Sequence, residues 1–188
     1  MRILDLIMKS AVILNVDQIL KEDSVINYKG NSDTVLDGNK ELKRMYELSK
    51  IVVNEVSSYV PLKGESKIQS KNKSISLYSF VDLIRIVDVK NKFGHVHFKL
   101  TDSCIYVDED GEYTVTYYAY PSIDYLDDPV PVKGCASEDL FVAGLNSYYC
   151  LATGLYAEYN VYNSQYVDKL SRINNLKLFS MPCRSWND

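Results

Sequence analysis

The sequence predicts an α+β fold: a helical body, made of N-terminal helices plus a C-terminal helical hairpin, with an inserted small antiparallel β-domain. This prediction rests on two changes in the spacing of apolar residues along the chain. Apolar residues recur at helical spacing up to Pro61, alternate with polar residues between 67 and 120, and return to helical spacing after Ser137. A chain of 188 residues is long enough for one domain with a substantial core. We therefore expect a single domain, 1–188, with N-terminal helices at 1–62, a β insertion at 67–120, a helical hairpin at 136–175 and an extended tail at 176–188.

The first forty residues predict short helices and a loop. Ile3–Leu14 is apolar at every third or fourth position, which is typical of a helix with one buried face. Asp17–Leu20 predicts one further helical turn. Asn27–Asn39 is rich in glycine, asparagine, serine and aspartate, and predicts a loop.

Glu41–Val60 predicts the clearest helix of the N-terminal half. Asp37 or Asn39 could cap its start, and Pro61 would end it. Its valines lower the intrinsic helix propensity, so we expect tertiary packing to stabilise this helix. The predicted buried stripe comprises Leu42, Met45, Val52, Val56 and Tyr59.

The middle of the chain predicts a small antiparallel sheet or sandwich. Lys63–Lys73 contains four lysines and one glutamate, and we interpret it as a solvated loop, with a phosphate site as the alternative. Asn91–Gly94 and Asp108–Gly111 have the composition of hairpin turns. In one strand Val96, Phe98 and Leu100 should share a face. The predicted strands are Ser74–Tyr78, Leu83–Val89, His95–Leu100, Cys104–Val107 and Tyr113–Tyr120.

The C-terminal third predicts a helical hairpin. Pro121–Pro131 is rich in proline and aspartate and cannot continue a sheet. Ser137 should cap a helix that runs to about Ala152, and Thr153–Gly154 should end it. A last helix is predicted over roughly Tyr156–Asn174, and so short a break implies an antiparallel pair. Its predicted buried stripe is Tyr159, Tyr162, Tyr166 and Leu170.

The composition argues against several classes of protein. The formal charge is −4 and no basic residues cluster as they do in proteins that hold nucleic acid by its phosphates. Asp5 and Lys9 interrupt the first apolar segment, so we expect no signal peptide, and no segment approaches the roughly 20 apolar residues of a membrane span. The 16 tyrosines suit surfaces that are apolar on one side and wet on the other, such as subunit interfaces.

Two short motifs resemble metal sites but lack ligands. His95 and His97 would point the same way from a strand, yet the chain has no further histidine. Asp108-x-Asp110 resembles the start of a calcium loop, but Ala119 stands where the bidentate glutamate is needed. We therefore predict no bound metal and no cofactor.

No catalytic constellation is recognisable in the sequence. Cys104 in a strand and Cys150 in an apolar helix are better interpreted as small packed residues than as nucleophiles. The four cysteines include no C-x-x-C pair, and we expect reduced thiols. Serine-elbow, phosphate-loop and zinc-helix motifs are also missing. We predict a protein that is not an enzyme, with a cytoplasmic enzyme of unrecognised chemistry as a minor alternative.

Two sets of residues are candidate contacts with other subunits. Small residues in the first hairpin helix allow close packing, either between subunits or inside one: Ala136, Ala143, Gly144, Ser147 and Ala152. The tail lacks a helical period but carries apolar side chains and the only tryptophan. We expect it to dock on a partner subunit through Leu176, Leu178, Phe179, Met181, Pro182, Arg184 and Trp186.

The order of elements resembles the head–tail connector proteins of tailed bacteriophages, also called adaptor or head-completion proteins. Those proteins have N-terminal helices, an inserted small β-domain and a C-terminal helical hairpin. The resemblance covers most of the chain and is one of pattern. The stretches that carry it are Ile3–Ile7, Leu48–Leu62, Tyr113–Tyr117, Asp139–Leu170 and Met181–Trp186.

The resemblance implies a structural virion protein at the head–tail junction, made in the host cytoplasm. Such a subunit would form a ring of about twelve copies, between the portal protein and tail or stopper proteins. DNA would pass through the channel without specific binding, which suits an acidic subunit. The alternative is a tail or baseplate module whose tyrosine-rich sheet binds carbohydrate or another tail protein.

Overall fold

The computed structural model describes residues 1–21, 32–132 and 136–179. The chain combines helices with small antiparallel sheets, which is compatible with the predicted α+β class. It divides into two compact units. Met1–Val60 together with Ile123–Asp188 forms the helical unit, and Pro61–Ser122 forms the β unit. The β unit is therefore an insertion in the sequence of the helical unit.

Helices α1 (Ile3–Leu14) and α2 (Asp17–Leu20) have the predicted bounds. The Asp5 carboxylate accepts a hydrogen bond from the Arg2 backbone N–H at 3.0 Å, which closes the start of α1. The N–H groups of the first turn, which have no partner within the helix, donate to carbonyls of the crossing segment after the β unit. Asn15 has φ 53° and ends α1 in the left-handed conformation that asparagine tolerates.

Helix α3 (Ser32–Gly38) lies where a loop was predicted, so that prediction is wrong for these residues. Residues 27–31 of the predicted loop lie outside the described part of the chain. Leu36 is buried in α3, and Val35 packs against the same core. Burial of these two apolar side chains favours a helix although serine, aspartate and glycine disfavour one.

Helix α4 (Lys40–Tyr59) confirms the predicted long helix, and Asn39 is the residue that caps its start. The Asn39 side chain accepts a hydrogen bond from the Leu42 backbone N–H at 2.9 Å. Asp37, the other candidate, pairs instead with Lys43. The buried face also includes residues that the predicted stripe omitted: Tyr46, Ser49, Val53 and Ser57.

Helices α5 (Glu138–Thr153) and α6 (Tyr156–Phe179) form the predicted antiparallel pair. Ser147 hydrogen-bonds Asn163, and Lys169 bonds the Asp139 carbonyl, which is the register of an antiparallel hairpin. Gly154 ends α5 with φ 78°, in the left-handed conformation. A residue with a side chain would be strained in this conformation, whereas glycine adopts it freely. Ser137 lies at the expected cap position, but its side chain makes no capping bond.

The β unit contains two antiparallel sheets. Their strand orders are β1-β7-β3-β4 and β2-β6-β5. The strands are β1 (Leu62–Gln69), β2 (Ser74–Ser76), β3 (Leu83–Asn91), β4 (Gly94–His95), β5 (Lys99–Leu100), β6 (Cys104–Tyr106) and β7 (Glu112–Ala119).

Strand β1 corrects the prediction of a solvated loop at Lys63–Lys73. β1 pairs with β7 along its whole length, from Leu62 opposite Ala119 to Gln69 opposite Glu112. Its side chains alternate between partly buried and exposed. Two of the inward positions are Gly64 and Ser66, so the apolar alternation that normally indicates a strand is too weak to recognise.

Two further predictions in the β unit are wrong. The expected strand His95–Leu100 is divided between the two sheets, and Leu100 is exposed instead of sharing the buried face of Val96 and Phe98. Asp108–Gly111 connects strands of different sheets and is not a hairpin turn. At both places the chain passes from one sheet to the other. The alternation of apolar and polar residues predicts a strand but does not indicate the sheet to which that strand belongs.

The turn at Asn91–Gly94 is confirmed as the hairpin between β3 and β4. Asn91 pairs with Gly94 across the turn, and the Asn91 side chain accepts a bond from the Phe93 N–H at 2.8 Å. Gly94 has φ 129°, a conformation that favours glycine.

Candidate functional site

The predicted docking tail is only partly within the described residues. Helix α6 continues to Phe179, so Leu176, Leu178 and Phe179 are helical and not part of an extended tail. Met181, Pro182, Arg184 and Trp186 lie outside the described part of the chain. The docking role of this segment stays a prediction.

The small residues of the first hairpin helix pack inside the helical unit. Ala136, Ala143 and Ser147 are buried there, whereas Ala152 is exposed. A Cβ at Gly144 would lie 2.7 Å from the Tyr166 ring and 2.8 Å from Val52, so this glycine permits the close approach of three helices. Of the two alternatives left by the sequence, packing within one subunit accounts for the buried members.

A carboxylate that accepts two tyrosine hydroxyls joins three helices, a feature that the sequence analysis missed. Tyr148 on α5 and Tyr166 on α6 donate to the same oxygen of Glu55 on α4, at 2.9 and 2.8 Å. At the other end of α4, Tyr149 donates to Glu41 at 3.0 Å. These partners lie about 100 residues apart in sequence and give no local signal.

These tyrosines are hydrogen-bond donors and not proton-transfer groups at neutral pH. Burial, followed by the bond to Glu55, raises the pKa of Tyr148 to about 12. Burial and Glu41 raise the pKa of Tyr149 to about 12, and burial raises the pKa of Tyr166 further still. A general acid or base functions best with a pKa near the working pH. The arrangement therefore stabilises the junction of the helices.

The two possible metal motifs are used for other contacts. His95 Nδ1 lies 2.9 Å from Asp88 Oδ1 across the β3–β4 pair, and this hydrogen bond lowers the pKa of Asp88. Asp110 accepts bonds from the Lys73 N–H at 2.7 Å and the Ser70 hydroxyl at 3.2 Å. Among the described residues, no three histidine, cysteine, aspartate or glutamate side chains are grouped so as to hold a metal ion.

The cysteines within the described ranges are Cys104 and Cys150, and both are free thiols. Cys150 is fully buried, and burial raises the pKa of its thiol. A reactive cysteine needs the opposite shift, because the thiolate is the nucleophile. Cys150 therefore has the environment of a packed core residue. Cys135 and Cys183 lie outside the described part of the chain.

Large apolar side chains that face solvent are the principal candidate contact surfaces. In the helical unit they lie on α1, on α4, at the α5–α6 turn and on α6: Val12, Ile13, Ile51, Leu151, Leu155, Tyr156, Val161 and Val167. In the β unit they include Tyr78, Val81, Phe93, Leu100 and Tyr106. Single exposed apolar residues are ordinary, but groups of them mark interaction surfaces.

Tyr78 lies in a 3₁₀ helix, Leu77–Ser79, so the predicted strand Ser74–Tyr78 ends earlier, at Ser76. The Leu77 N–H donates to the Ser103 carbonyl at 2.8 Å. The Phe80 ring is buried against the Tyr117 ring, with centroids 4.9 Å apart. Tyr78, which is 87% exposed, therefore projects from a segment whose neighbouring residues are hydrogen-bonded and packed. Rigid exposed aromatic side chains lose little entropy on binding and suit a contact with a partner.

Comparison with known proteins adds no assignment. No family model matches the chain, and none of the curated proteins is significantly similar to it. None of the described helices combines the length and apolar character needed to cross a membrane.

Proposed function

We propose that this chain is a structural virion protein of a tailed bacteriophage, a subunit of the ring that connects the portal and head to the tail. Its partners would be the portal protein, tail or stopper proteins and further copies of itself. The ring would surround the DNA without binding it specifically, in accord with the net charge of −4.

The insertion carries this proposal. The β unit follows Val60 at the end of the N-terminal helices and returns at Ile123 before the C-terminal hairpin. This order of elements is the one that the connector resemblance implies. Exposed apolar side chains on helices of the helical unit support an assembled state, because a ring would cover them.

Imaging with the portal tests the proposal. The purified chain should be monomeric or weakly associated by native mass spectrometry, and should form closed rings when mixed with rings of the portal protein of the same phage. Heterologous contacts that close leave no unpaired surface, which favours a ring over an open chain. Negative-stain images would show the added ring at one end of the portal. A tight two-fold dimer at micromolar concentration, with no binding to portals, would contradict the proposal.

A truncation separates folding from assembly. A chain ending at Phe179 keeps the described helices, so its melting temperature should stay within a few degrees of the full chain, while its assembly on portals should fail. Normal assembly of the truncated chain would remove the tail from the proposal. Unfolding of the free truncated chain would make the tail part of the monomer core.

A tail or baseplate module is the alternative, and the exposed aromatics of the β unit favour it. Tyr78 and Phe93 are 87% and 84% exposed, and aromatic rings of this kind stack on sugars and on other proteins. Glycan-array binding by the full chain, lost in Tyr78→Ser or Phe93→Ser, together with no ring on portals, would favour this alternative.

A further inference from the structure

A pocket with a volume of about 570 Å³ lies at one end of the four-stranded sheet in the β unit. Residues 91–93 of the β3–β4 turn line it together with residues 109–112, which lead into β7. Lys67 of β1 and Thr114 of β7, which lie opposite each other in the sheet, also line it. We call this feature the sheet-end pocket. Its volume is within the range of about 300–1,000 Å³ that is typical of small-molecule sites.

Hydrogen bonds order both of the segments that surround the pocket. In the turn, the Asn91 side chain accepts a bond from the Phe93 N–H at 2.8 Å. In the other segment, the buried Ser70 hydroxyl accepts a bond from the Gly111 N–H at 2.9 Å and donates to the Asp110 carboxylate at 3.2 Å. A site whose walls are already ordered loses little entropy when a ligand binds.

Phe93 gives the pocket an exposed aromatic ring. The side chain is 84% exposed although it lines a concave surface. The Lys92 Nζ lies 4.7 Å from the centroid of this ring. A ring exposed to this extent gains free energy when apolar groups of a ligand cover it.

The polar lining combines hydrogen-bond donors with acceptors. The Lys67 ammonium only donates, the Thr114 hydroxyl does both, and the carboxylates of Glu109 and Glu112 only accept. None of these four side-chain groups has a hydrogen-bond or ion-pair partner among the described residues. Each of them can therefore bond a ligand without breaking a contact of the fold.

The charges of the lining restrict the class of ligand. The carboxylates of Glu109, Asp110 and Glu112 repel a phosphate or another polyanion. Lys67 and Lys92 repel a divalent cation in the same way. A hydrocarbon would remove water from these charged groups without replacing their hydrogen bonds. A neutral molecule with many hydroxyls fits the lining, because each hydroxyl both donates and accepts.

We propose that the sheet-end pocket binds a neutral saccharide. The C–H groups on one face of a sugar ring pack on Phe93, while sugar hydroxyls donate to Glu109 and Glu112 and accept from Lys67. The proposal goes beyond ring assembly, and it assigns to one pocket the carbohydrate binding that the tail-module alternative requires. Tyr78 does not line this pocket, so Phe93 is the exposed ring that contacts the sugar.

A glycan array followed by titration tests the site. The full chain should bind at least one neutral glycan on a printed array, and calorimetry with that glycan measures its affinity. Phe93→Ala should weaken binding about tenfold, because the sugar loses its aromatic contact. Tyr78→Ala, at a ring that is 87% exposed and outside the pocket, should leave the affinity unchanged. Both positions are exposed, so both variants should melt near the temperature of the wild-type chain.

Two lysines of β1 provide a second matched pair. Lys67→Ala removes a donor from the pocket and should weaken binding about tenfold. Lys63→Ala, at an exposed position on the same face of β1 and outside the pocket, should not weaken it. In an NMR titration with the same glycan, the amide signals of residues 91–93 and 109–114 should move. Those of residues 77–79 should stay in place.

The proposal has three outcomes that overturn it. The first is that no glycan on the array is bound, and the second is that binding is confined to charged glycans. The third is binding that Tyr78→Ala weakens and Phe93→Ala leaves unchanged. Rings on portals in any of these cases would leave the connector function standing. Glycan binding through Phe93 without rings on portals would support the pocket and contradict the connector function.

Discussion

The helical unit and the β unit differ in how their parts are joined. In the helical unit, a continuous apolar core connects α1, α4, α5 and α6, and buried tyrosine hydroxyls on α5 and α6 donate to Glu55 and Glu41 on α4. The β unit has a smaller core, and backbone pairing over the lengths of β1 and β7 supplies much of its order.

The difference also concerns where the aromatic side chains point. Tyr149 and Tyr166 of the helical unit are buried, whereas Tyr78 and Phe93 of the β unit project into solvent. The abundance of tyrosine therefore has two separate causes in one chain. Substitutions at the buried tyrosines of the helical unit should chiefly change stability, whereas those at exposed rings of the β unit should change binding.

The largest loss of stability is expected for Phe141→Ala. Phe141 is fully buried in the core of the helical unit, so its removal should cost about 3–5 kcal/mol of unfolding free energy. Phe93→Ala is the matched change at an 84% exposed position of the β unit, and should stay within about 0.5 kcal/mol. Urea denaturation, followed by circular dichroism, measures both. Equal losses would show that the exposed ring is part of a core.

Glu55→Leu should have the next largest effect. It leaves the hydroxyls of Tyr148 and Tyr166 without their acceptor, and a buried hydroxyl in that state costs about 1–3 kcal/mol. Glu47→Leu on the same helix removes an exposed carboxylate and serves as the control. Denaturant midpoints would compare the two. Similar midpoints would mean that water replaces Glu55 as the acceptor.

Two glycine substitutions compare close packing in the two units. Gly144→Ala should cost about 1–3 kcal/mol, because its Cβ would meet the buried Tyr166 ring and Val52. Gly64→Ala should cost less, since its Cβ would meet only the partly exposed ring of Tyr117, its cross-strand partner. Gly111→Ala, with no atom near its Cβ, is the control. Thermal melts would measure both losses of stability. A larger fall in melting temperature for Gly64→Ala than for Gly144→Ala would contradict the prediction.

Alkaline pH should weaken the helical unit. The pKa values of Tyr148 and Tyr149 rise from 10.0 to about 12 on folding, so their contribution to stability is complete below about pH 10 and is lost as the pH rises through about 12. Melting temperatures measured between these values should fall. In Tyr148→Phe the fall should be less steep, and an unchanged slope would contradict the assigned cause.

Metal removal should have no effect. His95 is paired with Asp88 and Asp110 with backbone and hydroxyl donors, so a chelator should leave the melting temperature unchanged. Elemental analysis that found about one zinc or calcium per chain, lost in His95→Ala, would overturn this expectation.

Local patterns in the sequence were sufficient for most helices. Ile3–Leu14 and Asp17–Leu20 were predicted with their bounds, and Asn39 was one of two caps considered for α4. A helix has 3.6 residues per turn, so its buried face can be recognised from the spacing of apolar residues over a few turns. Its ends can be recognised from the capping residues beside them. The hairpin turn at Asn91–Gly94 is equally local.

The candidate contact surfaces could be predicted less well. The tail was singled out by its apolar side chains and its tryptophan, but no pattern indicated the exposed apolar side chains of α1, Val12 and Ile13. Asn146 looks like an ordinary polar residue of an apolar helix. Only the packing around it shows that it is buried with an unused acceptor.

The amino-acid sequence by itself determined most of the helices and the hairpin turn at Asn91–Gly94, because these depend on neighbours a few residues apart. Tertiary structure decided that β1 is a strand, since pairing with β7 outweighs the weak alternation around Gly64 and Ser66. It also decided the partners of Glu55, which lie about 100 residues away. Contacts between distant segments follow from the burial of apolar surface and the need to bond buried polar atoms, and both conditions are met only when the whole unit has folded.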